Sequence, residues 1–343
     1  MSQMIERAWY QQASWLKLFR PLSALFTHLV IRRRKRFLER HDRYKAPVPV
    51  IVVGNISLGG TGKTPVVLAL IDLLRSAGYI PGVVSRGYGG KPVQYPWPVH
   101  KRNTPSEVGD EPLLIHRRSN VDLVIDPDRS SAVSYLLQQS DCNVVISDDG
   151  LQHYAMQRDI EIAVIDGLRG LGNHRCLPEG PLREPPSRLS EVDFILQNSG
   201  DKPKYAGAQI FELDATQLSS LNQSEALSIA QWQQKYAVNS HEHIKVYAVS
   251  GIGNPQRFYQ TLEQLGFSVI PHAFPDHYVF TETDFAKLID YPVIMTEKDA
   301  VKCTEIAIPN AWVLQVVAKL PETFQQSLLA RLSTLTKEGK VHG

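Results

Sequence analysis

Cysteine is scarce in this chain of 343 residues, and its three copies, Cys142, Cys176 and Cys303, lie far apart. They show none of the paired spacings that zinc sites or disulfide frameworks require, which excludes both as organising devices and leaves free thiols of a reducing cytosol. Long apolar runs are missing from the hydrophobic N-terminal segment. Its longest stretch without Lys, Arg, Asp or Glu covers residues 21–31, whereas a spanning helix needs about 20 residues. A signal peptide is disfavoured as well, because the basic run 32–36 follows the apolar segment and no small-residue cleavage site appears. An Asn-Lys-x-Asp motif is also absent, which argues against a guanine-specific switch.

What is present begins with charge. The net charge is only +2, yet residues 1–50 carry eleven Lys and Arg against Glu6, Glu39 and Asp42, leaving the remainder net acidic. A basic end seeks an anionic partner, either nucleic acid or a membrane surface. Here Trp9, Trp15, Leu16, Phe19, Leu22, Leu25, Phe26 and Leu29 lie just ahead of Arg32-Arg33-Arg34-Lys35-Arg36. Interleaved aromatic and aliphatic residues suit lipid better than a phosphodiester backbone, so the pattern predicts an amphipathic helix lying in an anionic membrane interface. The plainer reading of the same residues is a helix that caps the core, followed by a solvated basic tail. The net-acidic remainder also argues against a nucleic-acid-binding ATPase that uses the basic arm, so no nucleic acid is expected, and no protein partner is evident.

Residues 50–53 form a β-branched run that reads as a buried strand, 54–62 a glycine-rich turn, and 64–77 a helix with Val66, Val67, Leu70, Leu73 and Leu74 at helical spacing. Further strands are expected at 82–85, 123–125, 144–147, 160–165 and 194–196, with helices at 111–117 and 131–138 between them. Such alternation predicts a parallel sheet covered on both faces. Residues 199–240 are polar and rich in Gln and Ser, and carry few hydrophobic clusters. A second βα pattern follows, with strands at 246–249, 267–270, 292–296 and 312–317 and a helix at 256–265. The expected organisation is a basic, membrane-associating segment (1–45), a P-loop NTPase-type α/β core (46–205) and a smaller C-terminal α/β domain (206–343).

Ser57-Leu58-Gly59-Gly60-Thr61-Gly62-Lys63-Thr64 stands between strand and helix, as a phosphate-binding loop must. Its glycines let backbone N–H groups turn toward phosphates and the helix N-terminus adds positive potential. Lys63 is expected at the β and γ phosphates of ATP and the Thr64 hydroxyl on magnesium. The loop departs from the usual pattern at its first position, where Ser57 replaces glycine. A P-loop also needs an acid at the end of a neighbouring strand to hold magnesium. Asp148 is the first candidate and Asp149 the second, although adjacent carboxylates also serve as caps. Asp110, at the start of a predicted helix, suits a base that orients an attacking hydroxyl, and equally suits an N-cap.

The blocks Val48 to Asn55, Gly60-Thr61-Gly62-Lys63-Thr64-Pro65, Ser85-Arg86-Gly87-Tyr88-Gly89-Gly90 and Gly109-Asp110-Glu111-Pro112 resemble the tetraacyldisaccharide 4′-kinases of lipid A biosynthesis. So do Asp148-Asp149-Gly150-Leu151-Gln152-His153, Pro178 to Glu184, Asp276-His277 and Thr296-Glu297-Lys298-Asp299-Ala300-Val301-Lys302. The resemblance implies magnesium-dependent transfer of the γ-phosphoryl group of ATP to the 4′-hydroxyl of a tetraacylated disaccharide 1-phosphate. It implies peripheral residence at the cytoplasmic face of the bacterial inner membrane. It further implies that Asp110 is the catalytic base with His277 as partner, and that Arg183 and Glu184 lie near nucleotide and metal. Arg86 and Arg129 are candidates for phosphate or sugar, and Lys298 or Asp299 for reaching the cleft. The competing class is a P-loop switch or partition-type ATPase acting on a protein partner.

Overall fold

The computed structural model describes residues 3–236 and 244–339. Residues 1, 2, 237–243 and 340–343 of the segments delimited above lie outside the described residues. The strands, in chain order, are β1 (Val50–Gly54), β2 (Pro81–Ser85), β3 (Trp97–Pro98), β4 (Asp122–Ile125), β5 (Val144–Asp148), β6 (Ile160–Asp166) and β7 (Phe194–Asn198). They continue as β8 (Ala208–Ser220), β9 (Ala226–Ser228), β10 (Lys245–Ser250), β11 (Ser268–Ala273), β12 (Val293–Thr296) and β13 (Ala311–Lys319). All belong to one sheet in the order β11-β10-β12-β13-β8-β7-β6-β1-β5-β2-β4-β3, with β9 on β8.

The first half is a P-loop NTPase-type α/β sheet. In the central strand β1, Ile51 and Val53 point into one core layer with the helices Lys63–Ser76 and Asp110–Ser119, while Val50 and Val52 point into the other with the helix Arg129–Gln139. Burial on both faces explains why the run is continuously apolar, and each such side chain contributes roughly 1.5–3 kcal/mol. The helix Lys63–Ser76 buries Val66, Val67, Leu70, Ile71 and Leu74 along one stripe. It stops at Gly78, whose φ of +84° ends it in the left-handed region.

The polar stretch 199–240 holds the longest strand of the molecule. Residues 208–211 of β8 run parallel to β7, and residues 212–220 run antiparallel to β13. Asn198, the last residue of β7, lies opposite Phe211, and Lys319, the last of β13, lies opposite Glu212. The carboxyl ends of the two sets of parallel strands therefore meet in the first half of β8, at Phe211 and Glu212. The second half repeats the two-faced packing, with Val246 and Ala248 of β10 in one layer and Tyr247 and Val249 in the other. The helix Glu322–Gly339 then returns to the first half, where Phe324, Leu328 and Leu332 join the layer of Ile51 and Val53.

At the N-terminus two readings share the segment. The helix Gln3–Tyr10 behaves as a core cap: Trp9 is buried with Leu16 and donates its indole N–H to the Pro178 carbonyl at 3.0 Å. The helix Arg20–Leu38 is pinned by Ser23, whose hydroxyl donates to the Cys176 carbonyl at 2.5 Å, yet it leaves Leu22, Leu25 and Leu29 more than half exposed. No helix among the described residues is long and apolar enough to cross a membrane.

Candidate active site

The site lies where the strands end. In open α/β sheets the crevice beyond the carboxyl ends of the strands takes the ligand, and here it receives Ser85, Asp148, Asp166 and Asn198 from β2, β5, β6 and β7. Gly62 heads the helix Lys63–Ser76 at φ +94°, and a Cβ there would stand 2.4 Å from Asn198 Nδ2. Glycine is required on both counts. Asn198 uses that same amide nitrogen to donate to the Thr61 carbonyl at 3.0 Å. Arg169 donates to the Gly60 carbonyl at 3.1 Å, and Asn55 leans toward the Gly59 carbonyl at 3.4 Å. Ser57, in the position usually held by glycine, bridges to Leu182 and is buried. Loop residues 59–64 are thus held in place by partners from three strand ends.

Lys63 points at Asp149, with Nζ 3.5 Å from Oδ1, and Arg183 approaches the same carboxylate at 3.0 Å. Burial opposes the charge of Asp149, but Lys63 and Arg183 overcome it and hold the carboxyl well below its usual range. Its backbone sits in the left-handed region, φ +47°. Asp148 is different. It ends β5, directly beside β1, accepts a hydrogen bond from Ser85 Oγ at 3.1 Å and keeps a buried Oδ1 without a partner. Burial first, then the charges of Glu111 and Asp149, push its carboxyl up to about 7.

An unpartnered buried carboxylate oxygen facing a P-loop fits a divalent cation, whose charge reverses this kind of pKa elevation. Thr64 stands in the first turn of the adjoining helix. Among the described residues no group of three or more His, Cys, Asp or Glu forms a complete cage. Magnesium does not require one, since it is held by one or two carboxylates together with substrate phosphates.

Glu184 departs from the expected metal role. It is fully buried, with Oε1 accepting from Gln152 at 2.7 Å and Oε2 from the Tyr154 hydroxyl at 2.5 Å and Arg188 at 3.3 Å. With both oxygens engaged it reaches the site at one remove, through Gln152, whose amide also donates to the Asn55 carbonyl at 3.0 Å. Arg129 is likewise internal. It donates to the Asp126 carbonyl at 3.0 Å and the Asp148 carbonyl at 3.3 Å, and burial brings its pKa down to about 10. Arg86 is exposed.

Across the crevice, His277 Nδ1 lies 3.0 Å from Asp110 Oδ2, joining residues 167 positions apart. Asp110 is the first residue of the helix Asp110–Ser119, and Gly109, not Asp110, is its N-cap. The Ser85-to-Gly90 loop braces this turn: a Cβ on Gly90 would stand 2.6 Å from Gly109 N, so these glycines serve backbone-to-backbone packing. Burial raises the Asp110 carboxyl, but the hydrogen bond to His277 and the nearby Lys298 ammonium overcome it and lower its pKa. His277 is raised in turn, chiefly by the hydrogen bond to Asp110, and its φ is +60°. Non-glycine residues in this region are costly and cluster where function requires them. The halves also touch through Arg257, which donates to the Asn198 carbonyl at 3.0 Å and pairs with Asp166 at 3.6 Å. Asn198, Asp166 and Arg257 belong to no motif; the strand-end rule was the one signal able to find the first two.

A family described as Tetraacyldisaccharide-1-P 4'-kinase matches residues 15–333. The tetraacyldisaccharide 4'-kinase of Alcanivorax borkumensis is 46% identical over 331 residues, covering 96% of this chain and 98% of that protein. The enzyme of the same name from Pseudomonas aeruginosa is 46% identical over 339 residues, covering 97% and 98%. Among solved structures, LpxK from Aquifex aeolicus in complex with ATP is similar with a TM-score of 0.75 at 26% identity, over 93% of this chain and 99% of that one. With its P-loop, its strand-end carboxylates and these relatives spanning nearly all of its length, the chain belongs to the tetraacyldisaccharide 4'-kinase family.

Proposed function

We propose that this chain transfers the γ-phosphoryl group of ATP to the 4′-hydroxyl of a tetraacyldisaccharide 1-phosphate, with Asp110 as the base. The observation that carries this reading is the Asp110–His277 contact between the halves, beside which Gly253 of the second half packs between Asp276 and residues Gly59 and Gly60 of the P-loop. Phosphoryl transfer asks the protein mainly for positioning and charge stabilisation. The acceptor oxygen attacks the γ-phosphorus, the bond to the β–γ bridging oxygen breaks, ADP leaves, and the hydroxyl proton passes to the Asp110 carboxylate. Because its pKa is lowered, Asp110 is ionised and ready to accept it. His277 fixes the carboxylate's orientation through Oδ2. Residues 59–64 cradle the phosphates, Lys63 neutralises charge building at the β–γ bridge, and Arg183 sits beside it on Asp149. When bound, magnesium would be held by Thr64, Asp148 and Asp149, and would supply Lewis-acid stabilisation of the phosphate oxygens.

The exposed Leu22, Leu25 and Leu29 beside Arg32, Arg33 and Arg36 support seating on an anionic membrane at the cytoplasmic face of the inner membrane, where an acylated acceptor resides. The test is an assay with γ-labelled ATP and the tetraacylated disaccharide 1-phosphate in mixed micelles. Label is expected in the lipid. ATP consumption that proceeds equally without acceptor would favour the switch-type ATPase instead.

A further inference from the structure

We propose that Lys298 is a positioning residue for phosphoryl transfer, its ammonium locking Asp110 against His277 by bridging carboxylates from both halves of the molecule. This rests on the reading of Asp110 as the base.

Lys298 lies in the one-turn helix Glu297–Ala300 at the carboxyl end of β12. Its Nζ stands 3.0 Å from Glu111 Oε1, 3.3 Å from Asp276 Oδ1 and 3.9 Å from Asp110 Oδ2. Glu111 and Asp110 belong to the first half, while Asp276 adjoins His277 in the second. A strut between the halves would need only the first two contacts. The third falls on the same oxygen of Asp110 that His277 binds, so the two donors converge on Oδ2. Oδ1 is left with the backbone N–H of Glu111 at 3.0 Å. A carboxylate gripped in this way cannot rotate without breaking a contact across the crevice.

Electrostatics points the same way. Three carboxylates, Asp110, Glu111 and Asp276, surround the one ammonium, and without that cation among them they would repel one another. Burial works against the charge of Lys298, but Glu111, Asp110 and Asp276 overcome it and raise its pKa. It therefore remains a cation throughout the working range. The other charged group facing Asp110 is Lys302, and it is already paired with Asp299 at 2.7 Å. Asp299 in turn clamps the Lys298 turn, since its Oδ2 accepts from Thr296 Oγ1 at 2.6 Å and from the Gly251 N–H at 3.0 Å. The adjacent Glu297 is tied to Arg118 of the first half. The lysine stem is thus presented from a fixed turn.

The experiment uses the full chain and measures kcat, both KM values and the pH profile of kcat in mixed micelles for Lys298→Met, Lys298→Arg and Asp110→Asn. A base displaced by about an ångström costs on the order of 10²-fold in rate, so Lys298→Met should lose roughly that in kcat with KM for ATP little changed. Its acid limb should move to higher pH, because the charge that helps hold Asp110 ionised is gone. Lys298→Arg, which keeps the charge, should retain the wild-type limb and recover much of kcat. An unmoved limb in Lys298→Met, or a loss equal at every pH that arginine does not rescue, reduces Lys298 to a strut and overturns the inference. Should Lys298→Met fail to fold by its thermal transition, Lys298→Gln removes the same charge with smaller disturbance and is read in the same way. Wild-type turnover in Asp110→Asn would bring down the base assignment and this inference together. A dead Asp110→Asn beside an unmoved limb would bring down this inference alone.

Discussion

Strand, phosphate loop and Lys63 occupy one short stretch of the first half, whereas the second half brings His277 and Lys298 to the crevice from two separate strand ends, β11 and β12. In the first half local order builds the site: Gly62, Lys63 and Thr64 would form much the same loop on any parallel sheet. In the second half tertiary placement builds it, since His277 and Lys298 meet Asp110 only through the fold. The first kind of site is recognised from sequence and tolerates little change. The second is invisible in isolation and depends on how the halves meet.

Breaking the local half should have the largest effect. Lys63→Ala removes the cation proposed for the β–γ bridge and is expected to lower kcat by about 10³- to 10⁵-fold. Near-normal turnover in steady-state assays would remove the P-loop assignment.

Breaking the contact between halves comes next. Asp110→Ala should lower kcat by about 10²- to 10⁴-fold while ATP affinity changes little. His277→Ala should lose less, since orientation goes but the base stays. The double variant should be hardly worse than Asp110→Ala, because residues acting as a unit are strongly non-additive. Multiplicative losses would leave two independent contributions and no pair.

A subtler probe reads the first half alone, without nucleotide or metal. The Asp148 carboxyl is raised from 3.8 to about 7 by burial, with Glu111 and Asp149 adding to it. A carboxyl raised on folding holds a proton in the native state that the unfolded chain has already released, so stability falls as pH rises from 3.8 to about 7. Asp148→Asn should therefore melt above the wild type at alkaline pH and alongside it at the acid end of that window. A Tm difference that does not grow with pH would refute the buried, unpaired state of this carboxylate.

The smallest effect on chemistry is expected from the element outside both halves. Leu22→Glu, Leu25→Glu and Leu29→Glu combined should abolish most sedimentation with anionic liposomes while leaving kcat in micelles near wild type. Salt should weaken wild-type binding only in part, because cations are screened and apolar burial is not. Unchanged liposome binding would make the helix Arg20–Leu38 a surface cover and nothing more.

These contrasts explain what could be read from the chain beforehand. The strands of the first half and the Lys63 helix were legible because burial on both faces forces continuous β-branched runs and a regular apolar stripe. Asp148 was placed correctly at a strand end, since hydrophobic Val144 to Ile146 announces that strand. β8 was not legible. Its residues are mostly half-buried and polar, and its strand state depends on ladders to β7 and β13, the latter about a hundred positions away. Glu184 was named through the family resemblance alone, and no local pattern announces where its side chain goes: Arg183 turns to Asp149, and Glu184 turns into the interior with Tyr154 and Arg188. The spacing of Phe324, Leu328 and Leu332 is helical in the sequence, but nothing local reveals that this stripe is destined for the core of Ile51 and Val53.

That last helix has a consequence for the birth of the protein. The nucleotide-binding half leaves the ribosome first, but its hydrophobic layer is closed by Phe324, Leu328 and Leu332. At synthesis rates of about 5–20 residues per second, Ile51 and Val53 wait on the order of tens of seconds for their covering helix. During that interval a half-dressed sheet must avoid its neighbours on the polysome, and the second half, emerging in between, has to assemble without carrying the chain's end away from it.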